Sequence, residues 1–252
     1  MATSRAAAAQ LAYVLHSYDW SESSLIVELF TRAQGRIVTV ARGAKKPTSN
    51  FRSVLMQFVP LQAVLGKTPA DEAAEILPLR SVEWAGGAPL LGAAALPSGF
   101  YLNELLLKLL ARQDAHAVLF DAYADTLAAL AEDADDAAAL RAFELVLLRE
   151  LGWLPELSIA TLTSQPLQPD ARYTLDAEAG VTPHAQGIAG TRWVALEAAL
   201  RHGQPVAVRA ACAPVAAALR APLRDLLHYH LAGTPLRTRQ IWQGVQRLAE
   251  SR

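Results

Sequence analysis

The chain has 252 residues and a mass of 27.1 kDa, with 52% hydrophobic and 19% charged residues. This composition excludes an intrinsically disordered chain, because so much apolar surface has to be buried. The single cysteine, Cys212, excludes an internal disulfide and a cysteine-based zinc site, so we expect a reducing, cytoplasmic compartment.

The first part of the chain has the pattern of short strands joined by tight turns. β-Branched and aromatic residues are concentrated in these segments, and Gly35 can adopt the positive φ of a hairpin turn. Pro60, inside the fourth segment, predicts an edge strand or a bulge. Five short strands with little helix between them predict a small barrel, of the OB type or SH3-like. The predicted strands are Ala12–Tyr18, Ser24–Thr31, Arg36–Arg42, Gln57–Leu65 and a weaker Glu75–Glu83.

The rest of the chain is mainly helical. Leucines at helical spacing, Asp114 as an N-cap and Gly152 as a C-terminal glycine set the first three helices. Prolines and glycines predict a loop-rich insertion at 158–190, and Pro214 and Pro222 are expected to interrupt a later helix. The predicted helices are Pro97–Arg112, 114–131, Ala137–Leu151, Thr191–His202, Val206–Leu231 and Arg237–Leu248.

These elements predict an α+β fold class: an N-terminal five-stranded β-barrel followed by a mainly α-helical domain with a central insertion. The insertion contains no cysteine and therefore lacks such zinc ligands. We expect residues 1–85 to form the barrel, 86–157 the first part of the helical domain, 158–190 the insertion and 191–252 the C-terminal part.

Charge is segregated along the chain although the net charge is only −1. Residues 29–70 contain no acid and seven bases, whereas residues 100–157 contain eleven acids and four bases. Nine arginines face three acids from Gly190 onward. A basic stretch of this kind can hold a polyanion on a nearly neutral protein, although lysines also commonly protect the edges of strands.

No motif predicts catalysis, so we expect a protein that is not an enzyme and needs no cofactor or metal. Gly66-Lys67-Thr68 resembles the end of a phosphate-binding loop, but Leu61 stands where that motif needs its first glycine. His228 and His230 are two residues apart and point to different sides of a helix. No run of about 18 uncharged apolar residues predicts a membrane span.

The basic stretch is the best candidate for a nucleic-acid site. Arg36 and Arg42 lie at the two ends of one predicted strand and share a face. Lys45 and Lys46 extend that line, and Arg52 follows in the same acid-free stretch. Most aromatic residues in a small barrel belong to the core, but Trp20 in a polar turn is a candidate for stacking on a base.

Four segments, in order, are similar to the bacterial RecO family of recombination-mediator and DNA repair proteins. The longest is VLHSYDWSESSLIVELFTRAQGRIVTVARGAKK at 14–46, with its Gly-Arg hairpin and basic loop. The others are GFYLNELLLKLL at 99–110, LRAFELVLLRELGWLP at 140–155 and PLRTRQIW at 235–242. Together they are spread over residues 14–242.

The resemblance implies an OB-type barrel and a non-enzymatic protein, nucleoid-associated in the bacterial cytoplasm, that binds single- and double-stranded DNA and anneals complementary strands. It also implies RecR and the C-terminal tail of single-strand-binding protein as partners in loading the recombinase. Some members carry a zinc finger, which the cysteine-free insertion does not support. Arg237 and Arg239 form a second candidate DNA set, and Arg141 with Leu145 is the candidate tail site. The alternative is a protein-interaction scaffold whose basic barrel binds an acidic peptide.

Overall fold

The computed structural model describes residues 8–66, 76–87, 89–132, 136–238 and 241. Contacts between residues group the chain into two units. The first consists of Met1–Gly92 and Leu102–Phe120, and the second of Ala93–Tyr101 and Asp121–Arg252.

The first unit contains a closed five-stranded barrel, which confirms the predicted fold class. The strands follow the order β1-β2-β3-β5-β4, with β4 returning to pair with β1. All pairs are antiparallel except β3 and β5, which are parallel. The strands are β1 (Gln10–Asp19), β2 (Leu25–Thr31), β3 (Gly35–Ala41), β4 (Leu61–Leu65) and β5 (Ile76–Trp84).

Alternation of side chains fills the barrel interior. Every second residue of each strand points to the same face, so one set of small and branched apolar side chains meets at the centre. The interior set is buried and includes Ala12, Val14, Val27, Leu29, Ile37, Ala41, Leu61 and Ala63.

A bulge in β1 changes this alternation. The pairing of β1 with β2 shifts register between Val14 and His16, so Tyr13 and His16 both lie on the outer face. Tyr13 contacts the ring of Phe120 at a centroid distance of 5.4 Å. Beyond the bulge, His16 and Tyr18 continue the outer face, and both are exposed.

The fourth strand begins later than predicted. It starts at Leu61 rather than Gln57, because Phe58 adopts a left-handed φ of 68° and Pro60 has no N–H to donate. Gln57 makes only an isolated bridge to Val14, and its side-chain amide donates to the Leu15 carbonyl oxygen. Pro60 therefore precedes the strand.

Six helices follow the barrel in the part of the chain that the structure describes, and the predicted helix Arg237–Leu248 lies almost entirely outside it. α4 ends at Gly203, whose φ of 73° is the left-handed conformation typical of a glycine that caps a helix. In the second unit, α3 packs against α5 and α6, and α4 packs against α5. The helices are α1 (Leu96–Leu109), α2 (Ala117–Ala131), α3 (Asp136–Glu150), α4 (Gly190–His202), α5 (Pro205–Cys212) and α6 (Ala216–His230).

Asp114 was predicted to cap α2, and this is wrong, because the helix begins three residues later at Ala117. Instead, the Asp114 carbonyl lies against the β2–β3 hairpin turn. A Cβ on Gly35 would lie 1.6 Å from the Asp114 oxygen, and Gly35 has a φ of +65°. Only glycine fits this close approach of two backbone segments.

The insertion at 158–190 contains more regular structure than its composition predicts. A three-stranded sheet has the order β10-β8-β9, and β6 pairs with β7. The Trp193 indole is fully buried and donates to the Tyr173 carbonyl oxygen at 3.2 Å. This hydrogen bond ties β8 of the insertion to α4. Its strands are β6 (Ile159–Ala160), β7 (Gln165–Pro166), β8 (Arg172–Asp176), β9 (Gly180–Pro183) and β10 (Ile188–Ala189).

The predicted interruptions of the last described helical stretch differ in outcome. A 3-10 turn at Ala213–Val215 separates α5 from α6, whereas Pro222 lies inside α6 without ending it. The stretch Pro205–His230 has the length and composition of a membrane span. Its most apolar 18 residues have a mean hydropathy of 1.4, and 28% of them are buried. One such stretch is weak evidence, because core helices of other proteins pass the same test. That the chain does not cross a membrane stays a prediction.

Candidate nucleic-acid interface

Two turns meet at one end of the barrel. The first joins β1 to β2 (20–24) and the second follows β3 (42–46). The backbone N–H of Lys45 donates to the Ser23 carbonyl oxygen at 3.0 Å, and the N–H of Gly43 donates to the Ser24 hydroxyl at 3.4 Å. We call residues 18–24 and 40–46 together the turn end of the barrel.

The turn end carries exposed cations. The Arg42 and Lys46 side chains are exposed and make no ion pair among the described residues. Lys45 Nζ lies 3.1 Å from an oxygen of Asp19, whose carboxylate is 81% exposed. A surface pair of this kind contributes about 0–1 kcal/mol, so Lys45 can exchange Asp19 for another anion at little cost.

Arg52 and Arg80 add positive charge to the same unit. Arg52 is exposed, and its neighbour Phe51 packs against the barrel core, which fixes this loop to the barrel. The parallel register pairs Val40 of β3 with Pro78 of β5. Arg42 and Arg80 each lie two residues beyond that pair in the same direction, so the register brings them near each other. Arg80 is exposed and follows the buried Leu79, so its side chain points away from the barrel interior.

Arg36 has a different environment from the other predicted DNA residues. Its Nε and Nη2 donate to the two carboxylate oxygens of Glu28 at 2.8 and 3.2 Å. Its Nη1 donates to the carbonyl oxygens of Leu107 and Leu110 at 2.7 and 3.1 Å. A cation at these carbonyls stabilises the C-terminal end of α1. Arg36 thus holds barrel and helix segments together, and its contact with DNA stays a prediction.

Trp20 is the most exposed aromatic side chain at the turn end, with 63% of its surface accessible. Its backbone N–H donates to the Ser24 carbonyl oxygen at 3.2 Å, and Ser24 N–H donates to the Ser21 hydroxyl at 3.2 Å. These bonds close the turn and fix the backbone that carries the indole. Tyr18 precedes it on the outer face and lies edge-on to His16 at 4.4 Å.

The second predicted DNA set is only partly described. Arg237 lies in a helical turn and has interactions within the structure. Arg239 lies outside the described residues, as do Lys67 and Thr68 of the rejected phosphate-loop match. The contribution of this set to DNA binding stays a prediction.

The predicted tail site lies in the second unit, on α3. Leu145 is fully buried, and an Nη2 of the nearly buried Arg141 donates to Oε1 of Glu144. The same oxygen accepts from the Tyr101 hydroxyl at 2.7 Å. Burial raises the pKa of Glu144 although Arg141 and Tyr101 oppose the shift. Arg141 Nε and Glu144 Oε2 are buried and have no hydrogen-bond partner among the described residues.

Two charged residues of the barrel were not predicted. Glu28 is an acid with apolar neighbours on both sides in its strand, and a buried carboxylate needs a cationic partner, which was a usable signal for its pair with Arg36. Arg80 is brought near Arg42 only by the non-local parallel pairing of β3 with β5. No local pattern could have revealed that neighbour.

Comparison with known proteins matches both parts of the chain. Residues 7–82 match the family model "Recombination protein O N terminal", and residues 94–240 match "Recombination protein O C terminal". Curated relatives include the DNA repair protein RecO of Variovorax paradoxus and that of Verminephrobacter eiseniae, each 49% identical over 98% of this chain and 100% of the relative. The RecO of a Polaromonas species is 50% identical over 94% of this chain and 96% of the relative. The chain therefore belongs to the RecO family of DNA repair proteins.

Proposed function

We propose that this chain is a non-enzymatic DNA-binding and strand-annealing protein of recombinational repair that acts in the bacterial cytoplasm at the nucleoid. The observation that carries the proposal is the group of exposed cations around the turn end, formed by Arg42 and Lys46 with Arg52 and Arg80 nearby. Family membership supports the setting in DNA repair.

The proposed mechanism is electrostatic. Cations at the turn end neutralise phosphates and release the counterions condensed on the strand, which drives binding without sequence preference. Two strands held on one basic surface repel each other less, so complementary bases can pair without nucleotide hydrolysis. Arg36, at the opposite end of β3 from Arg42, is proposed as a further contact, and Arg237 and Arg239 form a second, C-terminal contact.

DNA binding is tested by fluorescence anisotropy of a labelled single-stranded oligonucleotide at several salt concentrations. The variant Arg42→Ala/Lys46→Ala should bind more weakly, with a logarithmic salt slope shallower by about 1.4, since each lost phosphate contact removes about 0.7. Arg192→Ala is the matched control, because Arg192 is also an exposed cation but lies on α4 of the second unit. Identical slopes for wild type and the double variant would move the site away from the turn end.

Annealing is tested separately with two complementary oligonucleotides, one carrying a fluorophore and the other a quencher. The wild type should accelerate pairing in the absence of ATP and metal, and the acceleration should fall as salt rises. With protein concentrations chosen so that the same fraction of each strand is bound, Arg42→Ala/Lys46→Ala should anneal the two strands more slowly than the wild type. DNA binding without any acceleration would leave the chain a DNA-binding protein and refute the annealing role.

The proposed partners are RecR and the C-terminal tail of single-strand-binding protein. We place the tail contact at Arg141 and Leu145 on α3, where the 9% exposed Arg141 has a donor, Nε, without a hydrogen-bond partner among the described residues. Arg141→Ala would leave the buried Glu144 carboxylate without its cationic partner. The better variant is therefore Arg141→Met/Glu144→Gln, with Glu144→Gln as control. We expect that only the double variant loses binding to an acidic, aromatic-ended peptide.

RecR is tested separately, by sedimentation of a mixture of the two proteins. The mixture should give one complex, and separate species at every mixing ratio would exclude RecR as a partner.

A further inference from the structure

We infer that Trp20 stacks on an unpaired base and makes the turn end selective for single-stranded over double-stranded DNA. This inference rests on the proposed DNA binding and deepens it, because cations alone hold both forms of DNA. Three observations on the described residues carry it: the exposure of the indole, the rigidity of its turn, and the cations that flank it.

The Trp20 indole is mostly exposed to solvent and is not packed in the barrel core. With 63% of its surface accessible, Trp20 contributes little to the barrel core, and the closed turn holds its backbone in place. A backbone held in place before binding loses little conformational freedom when a base stacks on the side chain that it carries. Tyr18, 47% exposed, continues the aromatic surface along the same outer face.

The cations lie close enough to Trp20 for one single-stranded DNA molecule to contact both. β1 and β3 are separated by β2, so the ends of these two strands lie about 10 Å apart at the usual strand spacing. Trp20 follows the end of β1, and Arg42 follows the end of β3. A single strand whose base stacks on Trp20 can therefore place neighbouring phosphates at Arg42 and Lys46. Lys45 neutralises Asp19, which leaves Glu22 as the exposed acid of this turn.

The selectivity follows from the state of the base. Inside a duplex both faces of a base are covered by neighbouring bases, and exposing one requires unstacking at a cost of a few kcal/mol. A base in a single strand offers its face freely, and stacking on an aromatic side chain is tolerant of sequence. Trp20 therefore adds affinity for single strands only, whereas Arg42 and Lys46 add affinity for both forms.

The experiment compares anisotropy titrations of a labelled single strand and of the duplex of the same length and sequence. Trp20→Ala should weaken single-strand binding by about 5- to 150-fold, the loss of one base–aromatic stack, and leave duplex affinity and both salt slopes unchanged. Trp20→Phe should retain most of the single-strand affinity, because it keeps an aromatic face. Trp84→Ala is the matched control, since Trp84 is 59% exposed at the end of β5, next to Glu83.

The outcomes separate this inference from the function on which it rests. Equal losses on single strand and duplex, an unchanged single-strand affinity in Trp20→Ala, or an equal loss in Trp84→Ala would overturn the stacking role. Salt-dependent binding by the wild type that Arg42→Ala/Lys46→Ala weakens would still uphold the proposed DNA site. Absence of binding by the wild type to either DNA would refute both. Photo-crosslinking of a 5-iodouracil-containing single strand to Trp20 would support the stack, and crosslinking only elsewhere would contradict it.

Discussion

Replacement of Arg36 by alanine should destabilise the protein rather than only weaken its hold on DNA. The guanidinium makes four hydrogen bonds: two to the Glu28 carboxylate and two to the carbonyl oxygens of Leu107 and Leu110. The Glu28 side chain is only 5% exposed, so its charge depends on this partner. Arg112 lies 3.8 Å from the same carboxylate and compensates it in part.

The expected cost follows from the burial of the partner. Removing one member of a buried ion pair costs about 3–5 kcal/mol, mainly because the remaining charge is left without compensation. The two carbonyl oxygens at the end of α1 also lose their donor, which adds to the cost. Arg112 still compensates part of the Glu28 charge, which lowers the cost, and we treat these two effects as cancelling. At about 2–4 °C per kcal/mol for a chain of this size, the melting temperature should fall by about 6–20 °C.

The assay is a double-mutant cycle by urea unfolding. Wild type, Arg36→Ala, Glu28→Ala and the double variant are compared, because removing both partners leaves no unpaired charge and should cost less than the sum of the single changes. Arg42→Ala is the matched control, since Arg42 is an exposed cation on the same segment and should leave the unfolding free energy within about 0.5 kcal/mol of wild type.

Two results would refute this reasoning. Additive effects in the cycle would mean that Arg36 and Glu28 do not stabilise each other. An unchanged unfolding free energy in Arg36→Ala, together with weaker DNA binding and a shallower salt slope, would show that Arg36 serves as a DNA contact instead.

Three further predictions concern the second unit. Trp193→Phe should lower the unfolding free energy by about 1–3 kcal/mol, since the Tyr173 carbonyl loses its buried donor, and equal stability by urea unfolding would contradict this. Burial raises the pKa of the Cys212 thiol to about 12, so a thiol reagent at pH 8 should label it only on unfolding, and rapid labelling of the native protein would be inconsistent. Burial of Glu197 raises its pKa, but hydrogen bonds from Arg149 and a backbone N–H outweigh that effect and lower it. Its stabilising contribution is therefore present above the ordinary glutamate pKa and lost as pH falls through the lowered value, so Glu197→Gln should cost stability at pH 7 and progressively less in acid.

The barrel strands were predictable because their signals are local. Alternation and β-branched residues define β1, β2 and β3 within seven to ten residues, and Gly35 marks the hairpin between β2 and β3. The short strands of the insertion, two to five residues long, give no such signal. Pro222 was expected to break a helix, yet burial of Leu219 and Leu223 on the same helix holds it together across the lost hydrogen bond.

The candidate site was predictable in charge but not in geometry. The acid-free stretch indicates where the cations lie, but the partners of Arg36 at Leu107 and Leu110 are more than seventy residues away. The same holds for Arg80, which reaches the neighbourhood of Arg42 through a pairing between distant strands. Long-range contacts decide which cations are free to meet a ligand, and composition carries no information about them.

The pairing that closes the barrel also sets the order in which it can fold. β1, β2 and β3 form from neighbouring hairpins, whereas closure joins Gln10–Ala12 to Leu61–Ala63, about fifty residues along the chain. Such distant contacts form more slowly than hairpins, because the intervening chain loses its freedom before the contact stabilises it. Until then both outer strands of the three-stranded sheet present unpaired backbone groups that can recruit another chain. During synthesis, the interval between the emergence of β3 and that of β4 is therefore when a nascent barrel of this family is most vulnerable to aggregation.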